Sequence, residues 1–318
     1  MHVFADASDL SKIARPSAVA IGVFDGLHRG HEMVLGTLFD HANGCATTVL
    51  TFDPHPASIL SPDQDFKLLQ TLPQRIEQLE KQGLDQARVV TFDEARAQQS
   101  AEDFIEEVLV NQLGAEVVVV GEDFRFGRNR EGTIETLRKA GEIHGFKVLT
   151  CAAFGEEVEG RFSSTMARTF LREGNVEGAQ TVLGRCWQIR GLVVEGDKRG
   201  RELGFPTANL VIDRHQVVPA DGVYAGATRI QGEWLPSAIS VGTRPQFYEN
   251  GAVLVEDHLT DFDGDLYGQF LDVAFIGRLR AQAKYDSLEA LIAQITADVA
   301  KSRQIFKDFA LFGATLLG

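Results

Sequence analysis

Ala18-Val19-Ala20-Ile21-Gly22-Val23-Phe24-Asp25-Gly26-Leu27-His28-Arg29-Gly30-His31 is the stretch that decides the fold of the first half of this 318-residue chain. Residues 18–24 form a short apolar run that reads as a buried strand, and residues 31–42 read as a helix. Working outward, residues 47–52 read as a second strand, and Ser100 followed three positions later by Asp103 opens another helix with a capping-box-like start. Residues 116–120 form a further strand, and residues 131–144 are helical again. Strands alternating with helices predict βαβ units and a parallel sheet. In such sheets ligands sit in the loops beyond the carboxyl ends of the strands, and the motifs of this half fall there.

After Cys186 the rhythm changes. Short β runs over 188–194, 223–230, 235–241, 252–259 and 270–276 are broken by Gly-rich turns, with no convincing helix among them. That pattern predicts a small antiparallel barrel. A closing helix over 287–305 places Leu288, Leu291, Ile292 and Ile295 on one stripe. The length suits two domains, and the boundary is expected between residues 185 and 186.

Lys+Arg 31 against Asp+Glu 45 gives a formal charge of −14, opposite to the basic balance of a nucleic-acid binder. Small phosphorylated ligands need only a local site and stay open. Cys45, Cys151 and Cys186 show no CxxC spacing, so neither a disulfide framework nor a structural zinc site is expected. The start shows no secretory pattern and the apolar run 117–120 is too short to span a bilayer, so a cytoplasmic, membrane-free protein is expected.

His28 and His31 lie three residues apart at a helix start, where free N–H groups and the dipole favour phosphate. Gly30 leaves room for close approach. Two imidazoles there can donate to oxygens gaining charge at phosphorus, and one such donor is worth about 2.7–4 kcal/mol of barrier. A lone His-x-Gly-His could equally be two satisfied surface histidines. The wider context resembles the nucleotidyltransferase superfamily, whose second signature stands here as Ser163-Ser164-Thr165-Met166-Ala167-Arg168, with Ala167 where Ile is usual. Two further loops, Thr51-Phe52-Asp53-Pro54-His55-Pro56 and Gly121-Glu122-Asp123-Phe124-Arg125-Phe126-Gly127, narrow the likeness. Together they resemble the FMN adenylyltransferase module of bacterial bifunctional riboflavin kinase/FAD synthetases. The resemblance implies a Rossmann-like α/β domain over 1–185. Gly22, Phe24, Asp25, Gly30, Ser163, Ser164 and Thr165 would bind ATP, and His28, His31 and Arg168 would be catalytic. Asp53, Pro54, His55, Pro56, Asp123, Phe124 and Arg125 would hold the flavin.

In the second half, residues 191–209 place glycines every four or five positions beside Lys198, Arg199 and Arg201. Such a loop can wrap phosphates, although no Walker A closes it. Thr207 and Asn209 share one face if the segment is extended, and their neutral oxygens suit Mg²⁺ held with ATP. In Leu254-Val255-Glu256-Asp257-His258, strand alternation puts Glu256 and His258 opposite Val255 and Asp257. Glu256 can be a general base for an alcohol or a solvated rim carboxylate. The GDxRGRxLGFPTAN pattern and the VExHL strand resemble riboflavin kinases. That implies a β-barrel kinase domain over 186–318 with a C-terminal helix. Gly196, Lys198, Gly204, Phe205, Pro206, Thr207 and Asn209 would bind ATP, with Thr207 and Asn209 on the metal. Glu256 would be the base, and Arg280, Lys284 and Ser287 would lie on the flavin. Arg244 stands where Asn is usual, and Tyr285 where Phe is usual.

The resulting expectation is phosphorylation of riboflavin to FMN, then adenylylation of FMN to FAD, with ATP and Mg²⁺. FAD-accepting apoproteins are conceivable partners, and the oligomeric state is left open. A single live module, with Arg244 crippling the kinase, and a non-catalytic flavin-binding sensor or carrier are the alternatives. The presence of His28, His31 and Glu256, which turnover needs and mere binding does not, speaks against both.

Overall fold

A computed structural model describes residues 1–152, 155–156, 160–196, 199–243, 253–313 and 317. The chain packs into two units, Met1–Leu68 with Leu72–Ser163, and Leu69–Thr71 with Ser164–Gly318.

The first unit is built on β1 (His2–Phe4), β2 (Ser17–Ile21), β3 (Ala46–Asp53), β4 (Gln86–Thr91), β5 (Ala115–Gly121) and β6 (Lys147–Cys151). They form one sheet in the order β1-β4-β3-β2-β5-β6, with every pairing parallel. The chain winds from β2 through β3 and β4 on one side and through β5 and β6 on the other. This creates a crevice where the direction reverses, between β2 and β5. Alternating residues serve the two faces, as the pleat requires. Val19, Ile21, Val118 and Val120 pack with Phe104, Val108 and Leu137 on one side. Ala18, Ala20, Val117 and Val119 pack with Val34, Leu35 and Leu38 on the other.

The helices of this unit are α1 (Arg29–His41), α2 (Pro56–Leu60), α3 (Leu72–Lys81), α4 (Glu94–Ala97), α5 (Ala101–Phe104) and α6 (Ile134–His144). A ribbon of β7 (Gly155–Glu156) and β8 (Gly160–Arg161) follows. Of two helix starts read from the sequence, the one at Ser100 holds and the other is corrected. Ser100 Oγ does accept from the Asp103 N–H, yet the Asp103 carboxylate turns to the Ser100 hydroxyl instead of the cap backbone, and α5 runs on as a π-helix over Ile105–Gln112. The helix expected from residue 131 starts at Ile134, because Thr133 and Thr136 form the reciprocal capping box.

In the second unit α7 (Ser164–Arg172) and α8 (Val176–Leu183) precede the barrel strands β9 (Trp187–Val194), β10 (Ala208–Ile212), β11 (Gly222–Ile230), β12 (Glu233–Thr243), β13 (Val253–Leu259) and β14 (Phe270–Arg280). The barrel closes in the order β10-β13-β12-β11-β14-β9 with antiparallel pairings. Arg278 ties the α7–α8 pair to it: its N–H donates to Glu177 Oε1 at 3.0 Å and its Nη1 to the Glu173 carbonyl at 3.1 Å. Leu69 is drawn into the same unit, its carbonyl accepting from Trp187 Nε1 at 3.0 Å.

The sequence predicted no helix between the barrel strands, but α9 (Arg199–Glu202) is one turn long, and β10 is a strand that periodicity alone did not separate from its turn. The closing helix α10 spans Leu288–Gly313. Leu288 is 53% exposed, whereas Leu291, Ile292 and Ile295 are partly buried, and the same stripe runs on through the buried Asp298 and Ser302 to Ile305, Phe306 and Phe309, which pack on Ala227, Ala274 and Ile276. Polar anchors mark this face: Arg280 donates to Asp298 Oδ2 at 2.7 and 2.9 Å, and Ser302 Oγ donates to the Ser237 carbonyl. Among the described residues no helix is long and apolar enough to cross a membrane.

Candidate active sites

In the first unit β2 ends at Ile21, and the chain turns through Gly22–Leu27 before α1 begins. Phe24 (φ 56°), Gly26 (φ 81°) and Leu27 (φ 39°) all adopt left-handed backbone. Phe24 and Leu27 are fully buried, so core packing holds two non-glycine residues in a conformation they rarely adopt. The turn delivers His28 as the N-cap of α1: its Nδ1 accepts from the Gly30 N–H at 3.1 Å. With Nδ1 accepting, the ring proton sits on Nε2, which becomes a donor. His31 stacks on His28 with centroids 3.7 Å apart, and Phe24 supports His31 from 5.0 Å. A Cβ on Gly30 would lie 3.0 Å from His28 Cε1, so Gly30 makes room for the capping imidazole itself. Phe24 and Asp25, at 0% and 1% exposure, are part of the frame of this turn.

The next loop follows β3. His55 repeats the His28 device, with Nδ1 accepting from the Ala57 N–H at 3.0 Å to cap α2. Its ring lies 4.3 Å from Phe66. Beyond β5, Phe124 stacks on Phe126 at 5.4 Å, and Gly132 admits the Phe126 ring, since a Cβ there would meet it at 2.7 Å. Asp123 and Arg125 are exposed, and Arg125 Nη1 bonds the Phe124 carbonyl. The three predicted loops therefore stand at the carboxyl ends of the neighbouring strands β3, β2 and β5. Ser163 closes this unit, whereas Ser164, Thr165 and the buried Arg168 belong to α7 of the second.

Sequence reading missed Arg75 on α3. It is 2% exposed and donates from Nη1 to the Val23 carbonyl and from Nη2 to the Phe52 carbonyl, both at 2.9 Å. No motif surrounds it, and its one sequence signal is a charge on the face of α3 that also carries Leu79.

In the second unit the expected alternation of β13 holds. Val255 and Asp257 are buried at 0%, and Glu256 and His258 are half-buried on the other face. Asn209 is the register partner of Glu256 across β10–β13. Directly opposed residues have Cβ atoms about 4.5–5.5 Å apart, so amide and carboxylate share one small area. The Gly196 backbone covers this amide, since a Cβ there would lie 2.6 Å from Asn209 Oδ1. Gly200 closes against the Phe205 carbonyl, and Gly204 (φ 85°) ends the α9 turn. His258 Nδ1 lies 2.7 Å from the Pro206 carbonyl, pinning the segment before Thr207, and burial pulls the His258 pKa down.

A cleft of about 700 Å³ is lined by Arg201, Pro206, Thr207, Phe262, Asp265 and Tyr267 among others, with neither Asn209 nor Glu256 in its lining. Inside the barrel, burial pushes the Asp257 pKa up to about 6, while hydroxyls of Thr228 and Ser237 bond it. Arg280 is engaged with Asp298, with the Tyr285 ring 5.8 Å away, and Ser287 Oγ caps α10 by accepting from the Ala290 N–H at 3.1 Å. Lys284 is exposed. Lys198 and Arg244 lie outside the described residues.

The donor set suits a hard cation shared with phosphates. Thr207 and Asn209 supply neutral oxygens, Asn209 opposite Glu256 in the register, and the Gly196 backbone packs on the Asn209 amide. Among the described residues no cluster of three or more His, Cys, Asp or Glu could hold a metal by itself.

The FAD synthetase family matches residues 10–166, and the riboflavin kinase family matches residues 183–306. The bifunctional riboflavin kinase/FMN adenylyltransferase of Escherichia coli K12 is 36% identical, over 96% of this chain and 98% of its own. This chain belongs to the bifunctional riboflavin kinase/FMN adenylyltransferase family. Family relatives from Pseudomonas fluorescens and Bacillus subtilis are 37% and 34% identical, each over 92% of this chain and 93% of its own. A crystal structure from Streptococcus pneumoniae, described as a macrolide-efflux protein, superposes with a TM-score of 0.84 at 30% identity, covering 95% of this chain and 99% of that one. The efflux description belongs to that protein, and the likeness carried over is the two-part fold.

Proposed function

We propose that this enzyme makes FMN from riboflavin in its barrel domain, residues 186–318, and FAD from FMN in its α/β domain, residues 1–185, using ATP each time. The family supports both activities, and the residue roles rest on the resemblance of the motifs to that family. In the kinase step Glu256 takes the proton of the terminal ribityl hydroxyl. That oxygen bonds to the γ-phosphorus of ATP as the bond to the β-phosphate oxygen breaks, and ADP leaves. Thr207 and Asn209 would hold Mg²⁺ with the ATP phosphates. When bound, the ion neutralises the phosphate charge. Gly196, Gly204, Phe205 and Pro206, with Lys198 of the same sequence stretch, would bind the nucleotide, and Arg280, Lys284 and Ser287 would border the flavin.

The adenylylation step needs no base, because a phosphate oxygen of FMN is already ionised. It attacks the α-phosphorus of ATP and pyrophosphate departs. His28 Nε2, His31 and Arg168 stabilise the charge that develops, with Ser163, Ser164, Thr165 and the N-terminus of α1 binding the phosphates. Asp53–Pro56 and Asp123–Arg125 hold the flavin. We place both reactions in the cytoplasm, where ATP and apoproteins that accept FAD are available.

The observation that carries this reading is the register pairing of Asn209 with Glu256 on one outer patch of the barrel, beneath the Gly196 loop. A chromatographic time course of riboflavin, ATP and Mg²⁺ tests it. FMN should form first and FAD should follow. Glu256→Ala should lower FMN formation by about 100-fold or more, as loss of a general base does, and leave adenylylation of added FMN intact. FMN formation at the wild-type rate in that variant would remove Glu256 from the mechanism.

A further inference from the structure

The buried arginine of α3 lies at the junction of two loops to which no motif connects it. Val23, between Gly22 and Phe24, has a carbonyl that accepts from both Arg75 Nη1 and Thr51 Oγ1, each at 2.9 Å. Phe52, immediately before Asp53, offers its carbonyl to Arg75 Nη2 at 2.9 Å. The same nitrogen lies 3.6 Å from Asp53 Oδ1, and the buried Asp25 adds a second favourable charge. One planar fork thus joins the backbone leading into His28 and His31 to the backbone leading into Asp53–Pro56. A guanidinium does this with fixed geometry, because its donors are coplanar and cannot rotate independently. At 2% exposure its charge is shielded from solvent, and such a group is kept where its partners hold it.

We propose that Arg75 is a positioning residue for adenylyl transfer, locking the loop of the phosphate-binding helix to the loop of the flavin. The proposal rests on assigning those two loops to ATP and FMN. Arg75 reaches neither substrate in this scheme; it sets their mutual placement. A group that aligns two bound substrates acts on the transfer rate more than on the binding of either one, and misplacement by 1 Å costs about 100-fold.

The test uses the full-length enzyme with ATP, Mg²⁺ and added FMN, reading FAD and pyrophosphate. In Arg75→Met, kcat for FAD formation should fall about 100-fold while KM for ATP and for FMN each change by less than about threefold. Arg75→Lys, which keeps a charge but lacks the coplanar fork, should recover less than about tenfold of that loss. Riboflavin phosphorylation in the same preparations should stay at the wild-type rate, and thermal unfolding reports the folded fraction. If Arg75→Met does not accumulate as folded protein, Arg75→Gln is judged by the same criteria. The proposal is overturned if lost activity only tracks the unfolded fraction, if KM rises at constant kcat, or if lysine restores the wild-type rate. His28→Asn separates the two layers of the reasoning. If it abolishes FAD formation while Arg75→Met does not, the loops keep their assignment and Arg75 loses its role. If it has no effect, the assignment itself fails.

Discussion

Replacing Gly196 by Ala probes the kinase site through a single added methyl group. The new Cβ would run into Asn209 Nδ2 and lie 2.5 Å from its Cγ and 2.6 Å from its Oδ1. Gly196 is not among the positive-φ glycines, so alanine brings no left-handed backbone strain. Asn209 is 9% exposed, so its amide has little free space into which to swing. Ordinary heavy-atom contact begins near about 3.5 Å, so the amide or the loop must shift by about 1 Å. Phosphoryl transfer depends on positioning and charge stabilisation, and a 1 Å misplacement costs about 100-fold, equivalent to about 2.7 kcal/mol of barrier. Riboflavin phosphorylation should therefore drop by that factor in kcat/KM, while FAD formation from added FMN in the same tube stays at the wild-type rate. A kinase kcat/KM within about threefold of wild type would refute the claim that Gly196 seats a functional amide.

Other perturbations follow from single contacts. His28→Asn preserves an efficient N-cap but loses the Nε2 donor, so FAD formation should fall by about 100- to 1,000-fold without loss of thermal stability. Unchanged turnover would reduce His28 to a capping residue. Asp257 has a folded pKa raised to about 6 from 3.8, chiefly by burial. The folded state therefore holds this proton more tightly, and the group's contribution to stability is present below the unfolded value and is lost as pH rises through about 6. The Tm difference between Asp257→Asn and wild type should shift in favour of Asn from pH 5 to pH 7.5, and a flat difference would contradict the assignment. Asp298→Ala leaves Arg280 without its carboxylate at the α10 face and should cost about 2–3 kcal/mol, discounted for the partial exposure of Arg280, as read by urea unfolding.

Much of this architecture is legible in local sequence, and what escapes reading is held by contacts with no spacing of their own. The loop after β2 announces itself because glycine and histidine stand where a strand meets a helix, the pattern that favours phosphate, and the loops after β3 and β5 stand out by their Asp-Pro-His-Pro and Asp-Phe-Arg-Phe runs. Alternation alone assigned the faces of β13, since in a barrel strand the pleat allows no other arrangement. The buried face of α10 is legible only in its first turns, because its further fixed points are polar. Periodicity counts Leu288 and overlooks Asp298 and Ser302, which become core residues only once Arg280 and the Ser237 carbonyl are in place. For the same reason the α7–α8 pair reads as the end of the first rhythm and packs with the barrel, through Glu177 and Glu173 meeting Arg278.

Arg75 is the extreme case, because a guanidinium serving the Val23 and Phe52 carbonyls depends on two distant loop ends converging beside α3. The groups proposed to touch substrate are thus the readable part of these sites. The groups that hold them in place are written in the tertiary fold, and the Gly196 and Arg75 variants perturb that second layer, each with the other domain's reaction as its control.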